Sequence, residues 1–290
     1  MEISLALGID VNKRAQLREK PTRSMFKWAG GKASILQTIA QHLPAGKRLI
    51  EPFVGGGSVF MNFDYPAYLC GDINNDLITT YRVIQSSPDE LIEALIDLFA
   101  TKNTADGYQA ARQRFNTGKD DLVLVERAAH FMFINRHGYN GLIRYNLSGG
   151  INTSYGKYKA PYLPAKEIKA CHAVAARCEF THQSFQSSID CAGPGDVIFC
   201  DPPYEPLEGK KGFTTYAPGG FSFEDQQTLM YHLAAAHLRG AAIVITNSQA
   251  PNIVDLYAKH RMTIHDLEAP RSLSCKGDTR QNVSDLIATL

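Results

Sequence analysis

Apolar residues follow two rhythms along the chain. Short runs recur as RLIEPFV (48–54), AYLCGD (67–72), EFTHQSF (179–185), DVIFC (196–200), AAIVITN (241–247) and MTIHDLE (262–268), and the chain closes on VSDLIATL. Runs of this length between turn residues predict strands. Between them, SSPDELIEALIDLF (86–99), DLVLVERAAHFMFIN (121–135), residues 165–178 and SFEDQQTLMYHLAAAHLRG (222–240) carry helical spacing. Ser87, Pro88 and Glu90 read as N-cap, N1 and N3 of a capping box. Ser222 reads as the cap of the last of these helices and Gly240 as its end. Strands alternating with helices predict an α/β fold with a mostly parallel, doubly wound sheet.

Two stretches break the alternation. Residues 1–24 are polar, mixed in charge and weakly periodic, and read as a loosely ordered extension. Met25 opens the first compact-looking segment and is a candidate alternative start. The stretch 136–165, RHGYNGLIRYNLSGGINTSYGKYKAPYLPA, is rich in Gly, Asn and Tyr and lacks long apolar periodicity. A long irregular loop inside a domain carries function or is disordered, and its aromatic content argues against disorder.

Composition changes this picture little. At 290 residues and 44% apolar, the chain can build a large core, so global disorder is excluded. A net charge of +1 neither favours nor excludes a polyanionic partner, which a local patch must then meet. The six cysteines form no C-x-x-C pair, which favours reduced, mostly buried thiols over a disulfide framework or a zinc site. No signal peptide and no apolar run of membrane-spanning length is visible, so the expectation is a cytoplasmic protein.

Three motifs carry candidate chemistry. RLIEPFV runs into GGGSVF (55–60), where glycines let backbone pass close to a ligand ahead of an expected helix start. Asp72, ending the next strand, is placed to accept hydrogen bonds from a ribose. The missing third glycine of G-x-G-x-x-G makes a nicotinamide site a poor fit, and a tight turn without ligand stays open. KWAGGK (27–32) sets Trp28, the only tryptophan, between Lys27 and Lys32; a ligand wall and a core tryptophan both fit.

The third motif is FCDPPYEPL (199–207), a strand stopped by an acid and two prolines. An exocyclic amine on a base is a poor nucleophile because its lone pair is delocalised. Two fixed acceptors on its N–H bonds favour a pyramidal nitrogen. Asp201 offers a carboxylate, Pro202 a rigid carbonyl and Tyr204 a ring to stack on the base. Methyl transfer by in-line displacement from S-adenosylmethionine needs no metal, and no His/Asp/Glu cluster suggests one.

With KWAGGK, EPFVGGGSVF, GDIN (71–74), NRHGYNGLIRYN (135–146) and CDPPYEPL in this order, the chain resembles the DNA adenine N6-methyltransferase (Dam) family. The similarity runs from about Phe26 to the end, and FTTYAPGGFS and GDTRQNV also fit. The resemblance implies a Rossmann-like class I methyltransferase fold, with residues 25–85 and 179–290 as the catalytic domain. It implies a mainly helical and irregular recognition insertion over 86–178, adenine in double-stranded DNA as acceptor, and GATC as the site. Cofactor contacts carry over onto Trp28, Lys32, Phe53, Gly55, Gly56, Gly57, Asp72 and Asp201, with Ser184 and Phe185 added. DNA contacts carry over onto Arg136, Tyr139, Asn140, Leu142, Arg144, Asn146, Lys157, Tyr158 and Lys159, with Arg144 reading guanine. Ser154 and Lys157 stand where close relatives tend to have proline and arginine.

The residues support DNA binding independently. Residues 127–166 hold no Asp or Glu besides six Lys/Arg and five Tyr. Cations answer phosphates, arginine reads guanine, and a duplex base must leave the stack to reach Asp201. A solvated basic face with buried tyrosines is the bland alternative. An RNA or cytosine-N4 methyltransferase keeps the chemistry and changes the substrate; Asp before PPY and the 139–146 segment argue against it. A non-catalytic DNA-binding relic is disfavoured by the intact DPPY and glycine loop. The expected partner is DNA, with no membrane and no metal, and the expected state is a monomer.

Overall fold

In the computed structural model, residues 13–118, 121–204, 220–267 and 285–290 are described. The strands in chain order are β1 (Gln16–Leu17), β2 (Arg48–Glu51), β3 (Phe63–Asp64), β4 (Ala67–Asp72), β5 (Cys178–His182), β6 (Asp196–Cys200), β7 (Ala242–Ser248), β8 (Thr263–Leu267) and β9 (Asp285–Thr289). The helices are α1 (Leu36–His42), α2 (Asn75–Ser86), α3 (Pro88–Thr101), α4 (Ala105–Gly118), α5 (Leu124–His137), α6 (Ala165–Ala175), α7 (Phe185–Asp190), α8 (Phe223–Leu238) and α9 (Pro251–Lys259).

Seven strands form one sheet in the order β5-β4-β2-β6-β7-β9-β8. The first five run parallel, and β9 runs antiparallel to both of its neighbours. This is the class I methyltransferase arrangement. From β2 the chain steps outward to β4 and β5, then returns to β6 on the other side of β2. The gap between the carboxyl ends of β2 and β6 is therefore the topological switch point, where open α/β sheets hold ligands.

Side-chain alternation decides which face each residue buries. Leu49, Val197 and Phe199 join one apolar cluster, which continues into Leu91, Phe131 and Phe133 of the inserted helices. Ile50, Ile198 and Cys200 join the other, packed against Leu229 and Leu233 of α8. The insertion thus shares a core with one sheet face. Its central helix, α5, is buried at every position from Arg127 to His137 and packs against α2, α3 and α4.

Several local expectations change. Residues 13–24 are not loose: β1 pairs antiparallel with β3, Ala15 is buried, and Asn62 exchanges hydrogen bonds with Thr22 at 2.6 and 3.0 Å. Residues 1–12 lie outside the described residues. Met25, the candidate start, is fully buried. Ser87 precedes α3 but its hydroxyl makes no capping bond, because φ −143° and ψ 57° turn it away. Ser222 does cap α8, in a reciprocal box with Asp225. GGGSVF opens no helix and passes through turns into β3. The run 179–185 is strand only to His182; Ser184 then caps α7 through the Ser187 amide. Helices α1, α2, α4, α7 and α9 were not expected. In α4 only Tyr108, Ala111 and Phe115 are buried, a stripe too narrow to stand out in a polar segment. Among the described residues no helix is long and apolar enough to cross a membrane.

Candidate active site and nucleic-acid face

A cavity of about 570 Å³ opens at the switch point. Its walls include Trp28, Lys32, Phe53, Gly55, Gly56, Gly57, Asp72, Ser184, Phe185, Asp201, Pro202 and Tyr204, so every expected cofactor and catalytic residue meets there. They arrive from distant parts of the chain because each follows the carboxyl end of a parallel strand or lies across those ends.

The glycine loop has a tighter reason than ligand approach alone. Gly57 has φ +73°, and a Cβ there would lie 2.6 Å from Phe60 and 2.7 Å from the Tyr81 hydroxyl. A Cβ on Gly55 would meet Trp28 Nε1 at 2.9 Å. Trp28 therefore lies directly on the loop, as a wall of the cavity that packs partly against the core. Tyr81 donates to the Gly55 carbonyl at 2.8 Å, and the Gly55 amide donates to Asp72 Oδ2 at 3.1 Å. Asp72 Oδ1 takes the Asn74 amide at 2.9 Å. Burial pushes the Asp72 carboxyl up, and the amides of Asn74 and Gly55 pull it partly back. Phe53 and Phe185 stack at 5.5 Å, with Phe221 edge-on to both at 5.8 Å. They make an apolar corner suited to a flat heterocycle.

At the DPPY end, both carboxylate oxygens of Asp201 are held. Lys32 Nζ pairs with Oδ2 at 2.5 Å and also donates to the Gly30 carbonyl at 2.6 Å. The Thr246 hydroxyl donates to Oδ1 at 2.8 Å. The Tyr204 ring lies 5.1 Å from Lys32 Nζ, and burial pushes its phenol well above the ordinary value. Gln226 Nε2 donates to the Pro203 carbonyl at 2.9 Å, and Gln226 accepts from Asn247 at 3.1 Å. The second proline's peptide is thereby fixed from α8 and β7. Residues 205–207 of the motif lie outside the described residues.

Residues 138–158 form an irregular hairpin, bridged at Gly138–Tyr155 and Tyr145–Ile151. Tyr139 is half exposed, and Arg144, Lys157 and Lys159 are exposed. Arg144 Nε donates to Asn152 Oδ1 at 2.7 Å, so its fork is aimed. Asn140 sits at φ 53°, and its amide donates to the Tyr158 hydroxyl at 3.0 Å. The Tyr158 ring carries Lys27 Nζ 3.7 Å above its centre. Leu142 is half-buried, and its carbonyl accepts from Thr153. Two expected DNA contacts are engaged internally. Arg136 is buried and donates to the Tyr162 carbonyl at 3.0 Å. Asn146 Oδ1 closes its own turn on Ser148 and Gly150. Ser154 keeps its carbonyl on the Tyr139 amide at 2.7 Å.

The model of a family described as D12 class N6 adenine-specific DNA methyltransferase matches residues 28–273. The DNA adenine methylase of Escherichia coli (strain K12) is 38% identical over 270 residues, 93% of this chain and 95% of that one. The chain belongs to the D12 class of N6 adenine-specific DNA methyltransferases. A DNA N-6-adenine-methyltransferase of Escherichia phage P1 is 50% identical over 269 residues; they are 92% of this chain, which spans only 35% of that relative. An rRNA methyltransferase from Streptomyces viridochromogenes covers 99% of this chain and 92% of its own at 13% identity and a TM-score of 0.32, too loose to carry an argument.

Within this D12-class chain, several site residues escaped the sequence reading. Thr246 and Asn247 precede Ser248, the last residue of β7, and Gln226 lies in α8; all three are fully buried polar groups, and the one signal was the Thr-Asn pair closing the apolar run 241–247. Lys27 was noted only as a flank of Trp28 and Phe221 only within FTTYAPGGFS, neither with a role of its own. Glu51, the acid before Pro52, also lines the cavity. Burial pushes its carboxyl well above the usual range, with a smaller push from the Asp201 charge. Cys70, Cys171, Cys178 and Cys200 are buried thiols, Cys191 is exposed, and Cys275 lies outside the described residues.

Proposed function

We propose that this chain transfers a methyl group from S-adenosylmethionine to N6 of an adenine turned out of duplex DNA, within GATC. The carrying observation is the Asp201 carboxylate, clamped by Lys32 and Thr246 in the same cavity as the glycine loop and Asp72. The residues present fit the cofactor. Asp72 is a carboxylate at a strand end able to accept from ribose hydroxyls, and the Phe53–Phe185–Phe221 corner suits the adenine ring. When bound, S-adenosylmethionine supplies an electrophilic methyl on its sulfonium.

The protein's own part is positioning. Each Asp201 oxygen keeps a lone pair beyond the bond it already accepts, so an incoming N–H can be received without movement. The Pro202 carbonyl is the second acceptor, and the clamp on Pro203 limits how far this peptide can turn. As the amine nitrogen takes the methyl and the carbon–sulfur bond breaks, nitrogen gains positive charge, which the preset carboxylate stabilises until one N–H proton is released to solvent. The Tyr204 ring is the stacking surface for the base. Residues 25–85 and 179–290 serve as the catalytic part and 86–178 as the recognition part.

Recognition rests on Arg144 reading guanine, with Tyr139, Asn140 and Leu142 at the target step. Lys157, Tyr158 and Lys159 hold phosphates. The protein acts as a monomer, in the cytoplasm. The test is transfer of labelled methyl to duplex DNA followed by hydrolysis to nucleosides. Label in N6-methyldeoxyadenosine supports the reading; label in N4-methyldeoxycytidine, or only on RNA, overturns it.

A further inference from the structure

The inner side of the hairpin carries a tyrosine without a part in the proposed chemistry. Tyr145 stands between Arg144 and Asn146, and its ring packs on the larger apolar cluster. Its single hydroxyl hydrogen is shared between Asp76 Oδ2 at 2.9 Å and Asn74 Oδ1 at 3.2 Å. Asp76 is buried and held by Arg127 of α5, Nη2 at 2.6 Å and Nε at 3.2 Å. Asn74 caps α2 by accepting from the Leu77 amide at 3.1 Å, and its own amide donates to Asp72 Oδ1 at 2.9 Å.

These bonds form one path. It starts at the Asp72 carboxylate in the cavity wall, passes through the residue that opens α2, and ends beside Arg144 on the exposed hairpin. The hairpin is also tied to α4, where Tyr108 and Arg112 donate to the Thr153 carbonyl at 3.0 and 2.7 Å and Asn116 brackets Ile151, and to α5, where Asn135 donates to the Gly141 carbonyl at 2.8 Å. Through its own bonds Tyr145 ties the hairpin to the turn after β4, at Asn74, and to the first turn of α2, at Asp76.

We propose that Tyr145 is a positioning residue that couples the cofactor cavity to the recognition hairpin. This rests on the functional reading above, in that Asp72 faces the cofactor and Arg144 faces DNA. A ligand on Asp72 fixes the Asp72–Asn74 turn, which fixes the acceptor that the Tyr145 hydroxyl needs. A duplex on Arg144 fixes the same hydroxyl from the other end. Each ligand then tightens the other by the same factor, since such coupling is reciprocal. A brace that only held the hairpin in place would affect folding, and would leave the two ligands independent.

Tyr145→Phe removes the hydroxyl and keeps the ring. The measurement is the dissociation constant of S-adenosylhomocysteine, an unreactive probe, with and without a saturating GATC duplex, by calorimetry. For the unsubstituted protein the duplex tightens the probe by about fivefold or more. For Tyr145→Phe the ratio falls to about one, while probe affinity without DNA stays within about twofold. An equal ratio in both proteins, or a ratio of one in the unsubstituted protein, overturns the proposal. Coupling lost in Tyr145→Phe, in a protein that labels no adenine, would refute the functional reading and leave this inference standing. A protein that binds no duplex would sink both.

Discussion

The cavity and the hairpin are built in opposite ways. The cavity hangs on strand ends: glycines, Asp72 and Asp201 follow β2, β4 and β6, and neighbouring strands fix their spacing. The hairpin has two bridges and otherwise relies on side chains bonded to its backbone, from Tyr108, Arg112, Asn116 and Asn135. On the proposed reading, chemistry that tolerates little misplacement stands on the rigid element, and recognition on a segment whose shape depends on a few removable bonds. The difference also separates two settings of a cation: Lys32 is buried against the Asp201 carboxylate, Arg136 is buried on the Tyr162 carbonyl, and Lys157 and Lys159 are open to solvent.

The largest expected effect breaks the cavity side. Asp201→Ala lowers turnover by about a thousandfold or more and leaves DNA binding in place, checked by methyl transfer and gel shift side by side. Loss of DNA binding with intact single-turnover chemistry would show that Asp201 belongs to recognition instead. Next is Gly57→Ala, which places a Cβ against Phe60 and Tyr81 at a left-handed φ. It costs about 2–3 kcal/mol in urea unfolding, whatever ligand is present. An unchanged midpoint would mean that the glycine serves the ligand alone.

The hairpin side yields smaller effects. Arg136→Met lowers stability by about 1–2 kcal/mol without changing the salt dependence of DNA binding. Lys157→Ala and Lys159→Ala each reduce the log–log salt slope by about one and leave the thermal midpoint unchanged. An exchange of these two behaviours would reverse the distinction between brace and contact. The smallest concerns His137, stacked on Phe133 at 3.9 Å and edge-on to Phe99 at 4.5 Å. Burial holds its imidazole down at about 4, from an ordinary 6.5. The unfolded chain takes up the proton first, so this contribution is complete above pH 6.5 and is lost as pH falls toward 4. Urea titrations across that window should show the slope in the unsubstituted protein and a weaker one in His137→Phe.

The same contrast explains what the sequence disclosed. Strands β4 and β6 match their apolar runs end to end, because burial on both faces leaves an uninterrupted signal. The DPPY tetrapeptide and the glycine loop were legible because each is contiguous and of unusual composition. Thr246 and Gln226 were not, since their partners lie 45 and 23 residues away and only the sheet brings them together. In the hairpin, charge and aromatic content pointed to the right segment. They did not separate Arg144, which faces outward, from Arg136, which the all-round burial of α5 turns inward. Composition locates such a surface, and backbone hydrogen bonds decide which of its residues are available.

The central claim is methyl transfer to adenine N6 in GATC, and a plasmid tests it most directly. The DNA is incubated with protein and S-adenosylmethionine, then cut with endonucleases that differ in tolerance of N6-methyladenine in GATC. The account predicts full resistance to the methylation-blocked enzyme and full cutting by the methylation-dependent one. GATC sites that stay unmodified while another sequence takes up the methyl group would contradict it.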